Sequence, residues 1–297
     1  MRGRLIGAFF AIVAVALGML GYTLLSDGIG ESPAAADAGV EPIEVAQVTS
    51  APAPGVTDAF TETEQTAINQ MIGAYLAANG GFVRDYLLAN PEVLQEVVTE
   101  LERQRIDQQA AQQADAIEFY ADLLFFSPRN AVIGNPNGDI TLVEFFDYNC
   151  SYCKRALDDM NRLIADDPGL RIVLKEFPVL GLGSTEAAQV AGAVVLLAPD
   201  RYGEFHQLLL GTTAQATGDL ALAAAAEIGL DVAAIEALVG TAEVNAVIEE
   251  SYMLADALGL TGTPSYVLGN EVIVGAIGYD ALRGMIDSIR ACGAAFC

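Results

Sequence analysis

The sequence predicts an α/β domain with a large helical insert, and four features of its carboxyl-terminal part support that fold class. An apolar run over Ile140–Phe146, directly after a turn rich in Asn, Pro and Gly, predicts a buried strand. A second apolar run at 171–177 predicts another strand, and Gly269-Asn270 predicts the turn of a hairpin. The Ala-rich stretch between them, about 184–258, is divided by Pro and Gly and predicts several helices.

Two further helices and the hairpin strands complete the order of elements. Residues 154–165 carry apolar side chains on one helical face, so they predict a helix between the first two strands, and 279–291 predicts a closing helix. The hairpin strands are predicted at 264–268 and 272–275. We therefore assign 127–297 to one domain, which contains the helical insert.

A smaller helical module is predicted before this domain, in residues 58–126. Apolar residues recur every three or four positions from Thr61, and Asn90-Pro91 is typical of the start of a long helix. The middle of that helix, 102–113, is rich in Gln and nearly lacks large apolar side chains. Because such a helix has little surface to bury, we expect a solvated connector, with packing on the main domain as the alternative.

Residues 1–26 have the features of an export signal. Arg2 and Arg4 precede the uncharged segment 5–25, which is long enough to cross a bilayer as a helix. An uncleaved signal anchor is favoured over a cleaved signal peptide, because the apolar segment is long and lacks a nearby small-residue cleavage site. Residues 27–57, rich in Ala, Pro and Gly, predict a flexible linker. The body of the protein is therefore expected in the periplasm, anchored in the inner membrane, where disulfide chemistry is possible.

Composition excludes some classes of partner. The formal net charge is -25, with only 14 Lys and Arg, so an interface with nucleic acid, which needs clusters of basic residues, is not expected. A structural zinc ion needs four ligands, and besides one C-x-x-C motif the chain offers only Cys292, Cys297 and His206. We expect neither a metal nor another cofactor.

The stretch FFDYNCSYCKR contains the C-x-x-C motif, Cys150 and Cys153, at the predicted junction of a strand and a helix. A helix amino terminus stabilises a thiolate, so Cys150 is predicted to be the exposed nucleophile and Cys153, one turn later, the resolving thiol. Lys154 and Arg155 add positive charge that further favours the thiolate. A redox-active disulfide is the preferred interpretation, while an inert staple and a zinc ligand pair are the alternatives.

Two motifs then carry a family resemblance. The segment LVEFFDYNCSYCKR resembles the active-site segment of DsbA-like thioredoxin-fold oxidoreductases, and Gly262-Thr263-Pro264 resembles the loop that carries the cis-proline of that family. The resemblance implies a thioredoxin-like fold with an inserted helical subdomain. It also implies a thiol-disulfide oxidoreductase that acts on exported client proteins with cysteines and is reset by a membrane redox partner. Thr263 and Pro264 are implied to lie beside the cysteines, where an extended client segment pairs with the backbone.

The same resemblance implies roles for two buried charges. Glu144, six residues before Cys150, matches the acid that shuttles the proton of the resolving thiol in this family. Lys175, in LKEFPVLG, resembles its ionic partner on the neighbouring strand. A buried carboxylate near a thiol needs such a neighbour or a raised pKa.

The order of motifs over about 60–290 is similar to that of the suppressor-of-copper-sensitivity protein C (ScsC) group and related Com1-type proteins. That resemblance implies that the helices in 58–126 associate, as a possible homotrimer suited to disulfide isomerisation. The direction of electron flow stays open, although Ser151-Tyr152 lacks the histidine of the most oxidising members, which predicts a milder oxidant. The alternative function is a membrane-tethered Cu(I)-binding or copper-tolerance protein that uses the same thiolates.

The remaining reactive side chains are interpreted as structural. His206, on a predicted helix of the insert, is expected to be a packing or surface residue rather than a catalytic base. Cys292 and Cys297 are expected to form a structural disulfide near the carboxyl-terminal end, with a second redox pair or a metal site as the alternative.

Overall fold

The computed structural model describes residues 60–297. The chain divides into two compact units, Met1–Arg84 and Asp85–Cys297, of which the first is described from Phe60 onward. The predicted anchor at 5–25 and linker at 27–57 lie outside the described residues. None of the helices in residues 60–297 has the length and apolar character needed to cross a membrane.

The described residues form helices and strands with the following bounds. The helices are Glu62–Ala78 (α1), Gly80–Ala89 (α2), Pro91–Phe119 (α3), Ala121–Phe125 (α4), Ser151–Asp166 (α5), Leu182–Leu197 (α6), Tyr202–Leu210 (α7), Gly218–Glu227 (α8), Val232–Leu238 (α9), Ala242–Ala257 (α10) and Tyr279–Cys292 (α11). The strands are Ala131–Gly134 (β1), Ile140–Phe146 (β2), Leu170–Glu176 (β3), Ser265–Leu268 (β4) and Glu271–Val274 (β5).

Helix α1 begins with a capping box. The Thr61 hydroxyl accepts a hydrogen bond from the Glu64 backbone N–H at 3.4 Å, and the Glu64 carboxylate accepts one from the Thr61 N–H at 2.8 Å. Two otherwise unpaired amides are thereby satisfied. Gly80 and Gly81 form the first turn of α2.

Helix α3 has Pro91 at its first turn, as the sequence suggests, but Asn90 does not cap it. The Asn90 side chain instead donates to the Tyr86 carbonyl, 2.8 Å away. Ile117 is the buried residue of this helix, and residues 102–112 of the Gln-rich middle are exposed. Side chains of α3 are therefore buried only near the carboxyl-terminal end of the helix.

The strands form one mixed sheet in the order β1-β3-β2-β4-β5. Strand β2 is parallel to β3 and antiparallel to β4, so it is central, and its carboxyl end leads into the cysteine motif. This arrangement, with α6–α10 inserted between β3 and β4, confirms the predicted α/β fold class with a helical insert. Strand β1, antiparallel to β3 at the edge, was not predicted, because its four residues are too few to show a clear strand pattern.

Both faces of β2 are covered. Leu142 and Phe146 belong to one hydrophobic cluster, whereas Val143 and Phe145 belong to another on the opposite face. Since alternate residues of a strand point to opposite faces, Glu144 shares the face of Leu142 and Phe146. The first cluster also contains both cysteines of the motif, so this is the face on which the candidate site is built.

Candidate redox site

The loop after β2 holds the first cysteine at the start of α5. The Asp147 carboxylate accepts hydrogen bonds from the backbone N–H of Asn149 at 2.7 Å and of Leu180 at 2.9 Å. The Asn149 side chain both donates to the Ala216 carbonyl at 3.0 Å and accepts from the Ala216 N–H at 2.7 Å. These contacts tie the loop to the helical insert, so Cys150 takes a fixed position as the N-cap of α5.

Cys150 is a free thiol whose environment favours the thiolate. Its sulfur accepts the Cys153 N–H at 3.4 Å and lies 3.2 Å from the Thr263 carbonyl oxygen. A hydrogen bond from the Cys153 side chain is the largest cause that lowers the pKa of Cys150, from 9.0 to about 5. Burial opposes it, and further hydrogen bonds from the Thr263 side chain and from backbone N–H groups lower the pKa in addition. At neutral pH this thiol is therefore ionised, the form that attacks a disulfide. The prediction that Cys150 is exposed is wrong, because this residue is only 5% exposed.

Cys153 has the opposite character. It is a free thiol that is fully buried, and burial, the hydrogen bond to Cys150 and the charge of Glu144 raise its pKa well above the ordinary value. One sulfur is thus an ionised nucleophile and the other a protonated thiol that needs a base before it can react.

Glu144 lies beneath the cysteines on β2. It is 2% exposed and stands opposite Tyr266 in the antiparallel β2–β4 pair. Burial raises the pKa of Glu144 to about 8, while a hydrogen bond from Tyr266 lowers it and the charge of Cys150 raises it. Near neutral pH this carboxyl can therefore both take up and release a proton.

Lys175 is not the partner of Glu144, and that expectation is corrected. In the parallel β2–β3 pair, Lys175 is in register with Phe145, so it lies on the sheet face opposite to that of Glu144. Its ammonium group donates to the Glu250 carboxylate of α10 and to the Leu123 carbonyl, both at 2.8 Å. Lys175 therefore joins α10 and α4 to the sheet and does not act on the cysteines.

The predicted proline loop does meet the cysteine pair. The Thr263–Pro264 peptide bond is cis, and the Thr263 carbonyl is the one that faces the Cys150 sulfur. The Ser265 hydroxyl donates to the Gly262 carbonyl at 2.8 Å, which holds the loop at the start of β4. The structure thus brings Cys150, Thr263 and Pro264 together.

The two cations after the motif have other contacts. The Lys154 ammonium group donates to the carbonyls of Thr212 at 2.7 Å and Ala214 at 3.0 Å, and the Arg155 guanidinium lies 4.2 Å from the centre of the Tyr152 ring. Hydrogen bonds, rather than these cations, are the leading causes of the lowered pKa of Cys150.

The side chains interpreted as structural are packed as follows. His206 is buried, with its ring against Phe146 and stacked on Tyr202, and burial lowers its pKa to about 3. Cys292 and Cys297 are joined in a disulfide whose Cα atoms are 6.5 Å apart. Among residues 60–297, no three His, Cys, Asp or Glu side chains are grouped in a way that could hold a metal ion.

Sequence reasoning missed Tyr266 and Glu250. Tyr266 follows Pro264 by two positions, but its contact with Glu144 depends on the β2–β4 register, which the sequence does not state. Glu250 is 75 residues from Lys175 in the chain and gave no local signal.

An ionised cysteine at a helix start, a buried resolving thiol and a cis-proline loop beside them, on a mixed sheet with a helical insert, define a thioredoxin-fold oxidoreductase. The chain matches the family model described as the DSBA-like thioredoxin domain over residues 141–287 and that of the copper resistance protein ScsC N-terminal domain over 80–112. It belongs to the DsbA-like family of thiol-disulfide oxidoreductases.

Solved structures agree with this assignment. A thioredoxin-like oxidoreductase from Silicibacter pomeroyi DSS-3 is 40% identical, with 58% of this chain and 98% of that one covered and a TM-score of 0.55. ScsC of Proteus mirabilis in a transitional conformation is 27% identical, with 74% of this chain and 98% of that one covered and a TM-score of 0.55.

A curated relative has a different description. The Na(+)/H(+) antiporter NhaA 1 of Salinispora arenicola is 26% identical over 162 residues, which are 54% of this chain and 24% of the antiporter. The chain thus spans about a quarter of the length of that relative.

Proposed function

We propose that this protein is an extracytoplasmic oxidoreductase that oxidises or isomerises disulfides in exported proteins through Cys150 and Cys153. The observation that carries the proposal is the contrast between the two thiols. Hydrogen bonds lower the pKa of Cys150 to about 5, whereas burial keeps Cys153 protonated. A pair of this kind has a ready nucleophile and a second thiol that reacts only when a base removes its proton.

The exchange proceeds in two steps. The Cys150 thiolate attacks one sulfur of a client disulfide, a bond forms between them, and the other client sulfur leaves as a thiolate. The Cys153 thiolate then attacks the Cys150 sulfur, the mixed disulfide breaks, and the second client sulfur leaves. The client gains two electrons and the enzyme becomes the Cys150–Cys153 disulfide; client oxidation is the reverse sequence.

Glu144 is proposed as the base of the second step. Its pKa of about 8 and the effect of its charge on Cys153 support a proton transfer between the two groups. In the reverse direction the same carboxyl returns the proton to the leaving Cys153 sulfur. The backbone at Thr263 and cis-Pro264 is proposed to receive the client chain, since the Thr263 carbonyl lies 3.2 Å from the attacking sulfur.

The proposed organisation of the chain has four parts. Residues 1–26 export or anchor the protein, 27–57 tether it, 58–126 associate and 127–297 carry out the exchange in the periplasm. A membrane redox partner is proposed to reset the cysteine pair.

Homotrimerisation is proposed for the helices in 58–126. On α3, Leu94, Val97, Val98 and Leu101 are each about half exposed, and their spacing places them on one helical face. Such a stripe suits packing against the same helix of another copy. Sedimentation of residues 58–297 tests this: a trimer is expected, and a monomer at micromolar concentration would contradict it.

Refolding of scrambled ribonuclease tests the enzymatic proposal. The wild-type protein is expected to restore ribonuclease activity, and Cys150→Ala to lose this effect, because its nucleophile is absent. A Cys150→Ala variant that still catalyses refolding would contradict the proposal. The copper alternative predicts stoichiometric retention of Cu(I) against a chelator; no specific contact among residues 60–297 favours it.

A further inference from the structure

Tyr266 is a buried tyrosine that neighbours the proposed base across the sheet. It stands opposite Glu144 in the antiparallel β2–β4 pair, and the two side chains are 1% and 2% exposed. Directly opposed residues have Cβ atoms about 4.5–5.5 Å apart and lie on the same face of the sheet. Tyr266 also belongs to the hydrophobic cluster that contains Cys150 and Cys153. A buried phenol needs a hydrogen-bond partner, and Glu144 is the acceptor at hand.

The contact between these two side chains has a definite direction. A hydrogen bond from the Tyr266 side chain lowers the pKa of Glu144, against the larger effect of burial, which raises it. Burial and the charge of Glu144 raise the pKa of Tyr266 well above its ordinary value, so the phenol stays protonated and remains a donor.

The other ionisable groups near this pair are acids. The charge of Cys150 raises the pKa of Glu144, and Cys153 and Asp159, both on α5, raise the pKa of Tyr266. Negative groups disfavour a second negative charge beside them. The hydrogen bond from Tyr266 is therefore the contact that favours an ionised Glu144.

We propose that Tyr266 is a positioning residue for the resolving step: its phenol orients the Glu144 carboxyl and keeps it available to take the proton of Cys153. This inference rests on the proposed function. The proton moves from the Cys153 sulfur to Glu144, the new thiolate attacks the Cys150 sulfur, and the client sulfur leaves with the electron pair of the broken bond. Tyr266 keeps its own proton throughout.

The test separates the two steps of exchange in the full-length protein. Reduced enzyme is mixed with oxidised glutathione and quenched with acid, and the glutathione adduct at Cys150 is followed by mass spectrometry over a range of pH. The first-order loss of the adduct reports the attack by Cys153. In the wild type its rate is expected to rise with an inflection near the pKa of Glu144, about 8.

Tyr266→Phe is the informative variant. A hydrogen bond to a charged group changes a pKa by about one to two units, so the inflection is expected to move up by that amount. The rate at which Cys153 releases the adduct at neutral pH then falls about tenfold for each unit by which the pKa of Glu144 rises. The reason is that, at a pH below the pKa, the ionised fraction of a carboxyl falls about tenfold per pKa unit. Adduct formation is expected to keep its wild-type rate, since Cys150 is unchanged.

Tyr202→Phe is the matched control. Tyr202 donates at 2.6 Å to Glu176, another buried carboxyl whose pKa is raised to about 8, so the variant removes an equivalent phenol from a carboxyl other than the proposed base. Its inflection is expected to stay at the wild-type value. An unmoved inflection in folded Tyr266→Phe, or equal shifts in both variants, would overturn the inference.

Two further outcomes are decisive. If Tyr266→Phe does not fold, 3-fluorotyrosine at position 266 keeps the side chain and strengthens the donor, and a downward shift of the inflection is expected; an unchanged inflection overturns the inference. A wild-type protein that forms no adduct at Cys150 would overturn the proposed function as well, whereas normal adduct formation with an unmoved inflection overturns the inference alone.

Discussion

Replacing Cys153 with Ala is expected to raise the pKa of Cys150. The hydrogen bond from the Cys153 side chain is the largest cause of the lowered value of about 5. A hydrogen bond to a charged group contributes about 1.5–3 kcal/mol, and one pKa unit corresponds to about 1.4 kcal/mol, so the shift is about one to two units. Cys153→Ser, which keeps a donor, is expected to shift the pKa less.

The assay is the ultraviolet absorbance of the thiolate, followed against pH in the reduced protein. The wild type is expected to show an inflection near pH 5. Cys153→Ser is expected to show it at a higher pH, and Cys153→Ala at a pH higher still. Cys150→Ala is expected to show no inflection in this range. A wild-type inflection at the ordinary value of 9.0, or identical inflections in Cys153→Ala and the wild type, would show that Cys153 does not lower the pKa of Cys150.

The same thiolate sets an expected reduction potential. At neutral pH a thiolate of pKa about 5 stabilises the reduced form by roughly 2.3 kcal/mol more than one of pKa about 7, the value for thioredoxin. For a two-electron couple about 30 mV corresponds to about 1.4 kcal/mol, so the potential is expected about 50 mV above the thioredoxin value of about −270 mV. Equilibration with glutathione measures it, and a value outside the interval from about −270 to −120 mV would contradict the expectation.

The other predictions concern buried charges away from the cysteines. Lys175→Met removes the main partner of the buried Glu250 carboxylate. The free energy of unfolding, measured in urea, is expected to fall by about 3 kcal/mol. This is the low end for a broken buried ion pair, because Arg129 still contacts Glu250 at 3.2 Å. A loss of stability near zero in Lys175→Met would contradict this expectation. So would a Lys175→Met, Glu250→Gln double variant that loses as much stability as Lys175→Met alone, because its carboxylate is no longer there to be left unpaired. The pKa of His206 is about 3 in the folded protein and 6.5 in the unfolded chain. Its contribution to stability is therefore complete above pH 6.5. Between pH 6.5 and about pH 3 the free energy of unfolding falls by about 1.4 kcal/mol per pH unit, because the unfolded chain binds the proton more strongly. His206→Phe is expected to make stability fall less steeply between these values, and an unchanged slope would count against a neutral buried histidine.

The sequence predicted the features that are local in the chain. The strand before Cys150, the helix that begins after it and the insert before Pro264 each have a pattern of apolar and turn residues within a few positions. The short edge strand β1 was missed because a pairing partner, not its own four residues, defines it.

Contacts between distant segments could not be predicted in the same way. Glu144 was expected to face Lys175, yet the parallel register places these side chains on opposite faces of the sheet. The residues that take their place, Tyr266 for Glu144 and Glu250 for Lys175, come from segments more than 70 positions away in each case. Shifting a strand by one residue would move each of its side chains to the other face of the sheet. The register is determined by the packing of the whole sheet, which a single segment of sequence does not contain.

Trapping of a client protein tests whether Cys150 is the sulfur that attacks client disulfides. Cys153→Ala removes the resolving thiol, so the mixed disulfide between Cys150 and a client cannot be released by the enzyme itself. Reduced Cys153→Ala protein is incubated with a disulfide-containing exported protein, quenched with acid and digested, and the linked peptides are identified by mass spectrometry. Client peptides joined to Cys150 are expected, and none are expected in a Cys150→Ala, Cys153→Ala double variant. Client peptides joined to Cys292 or Cys297, or no linked peptide at all, would contradict it.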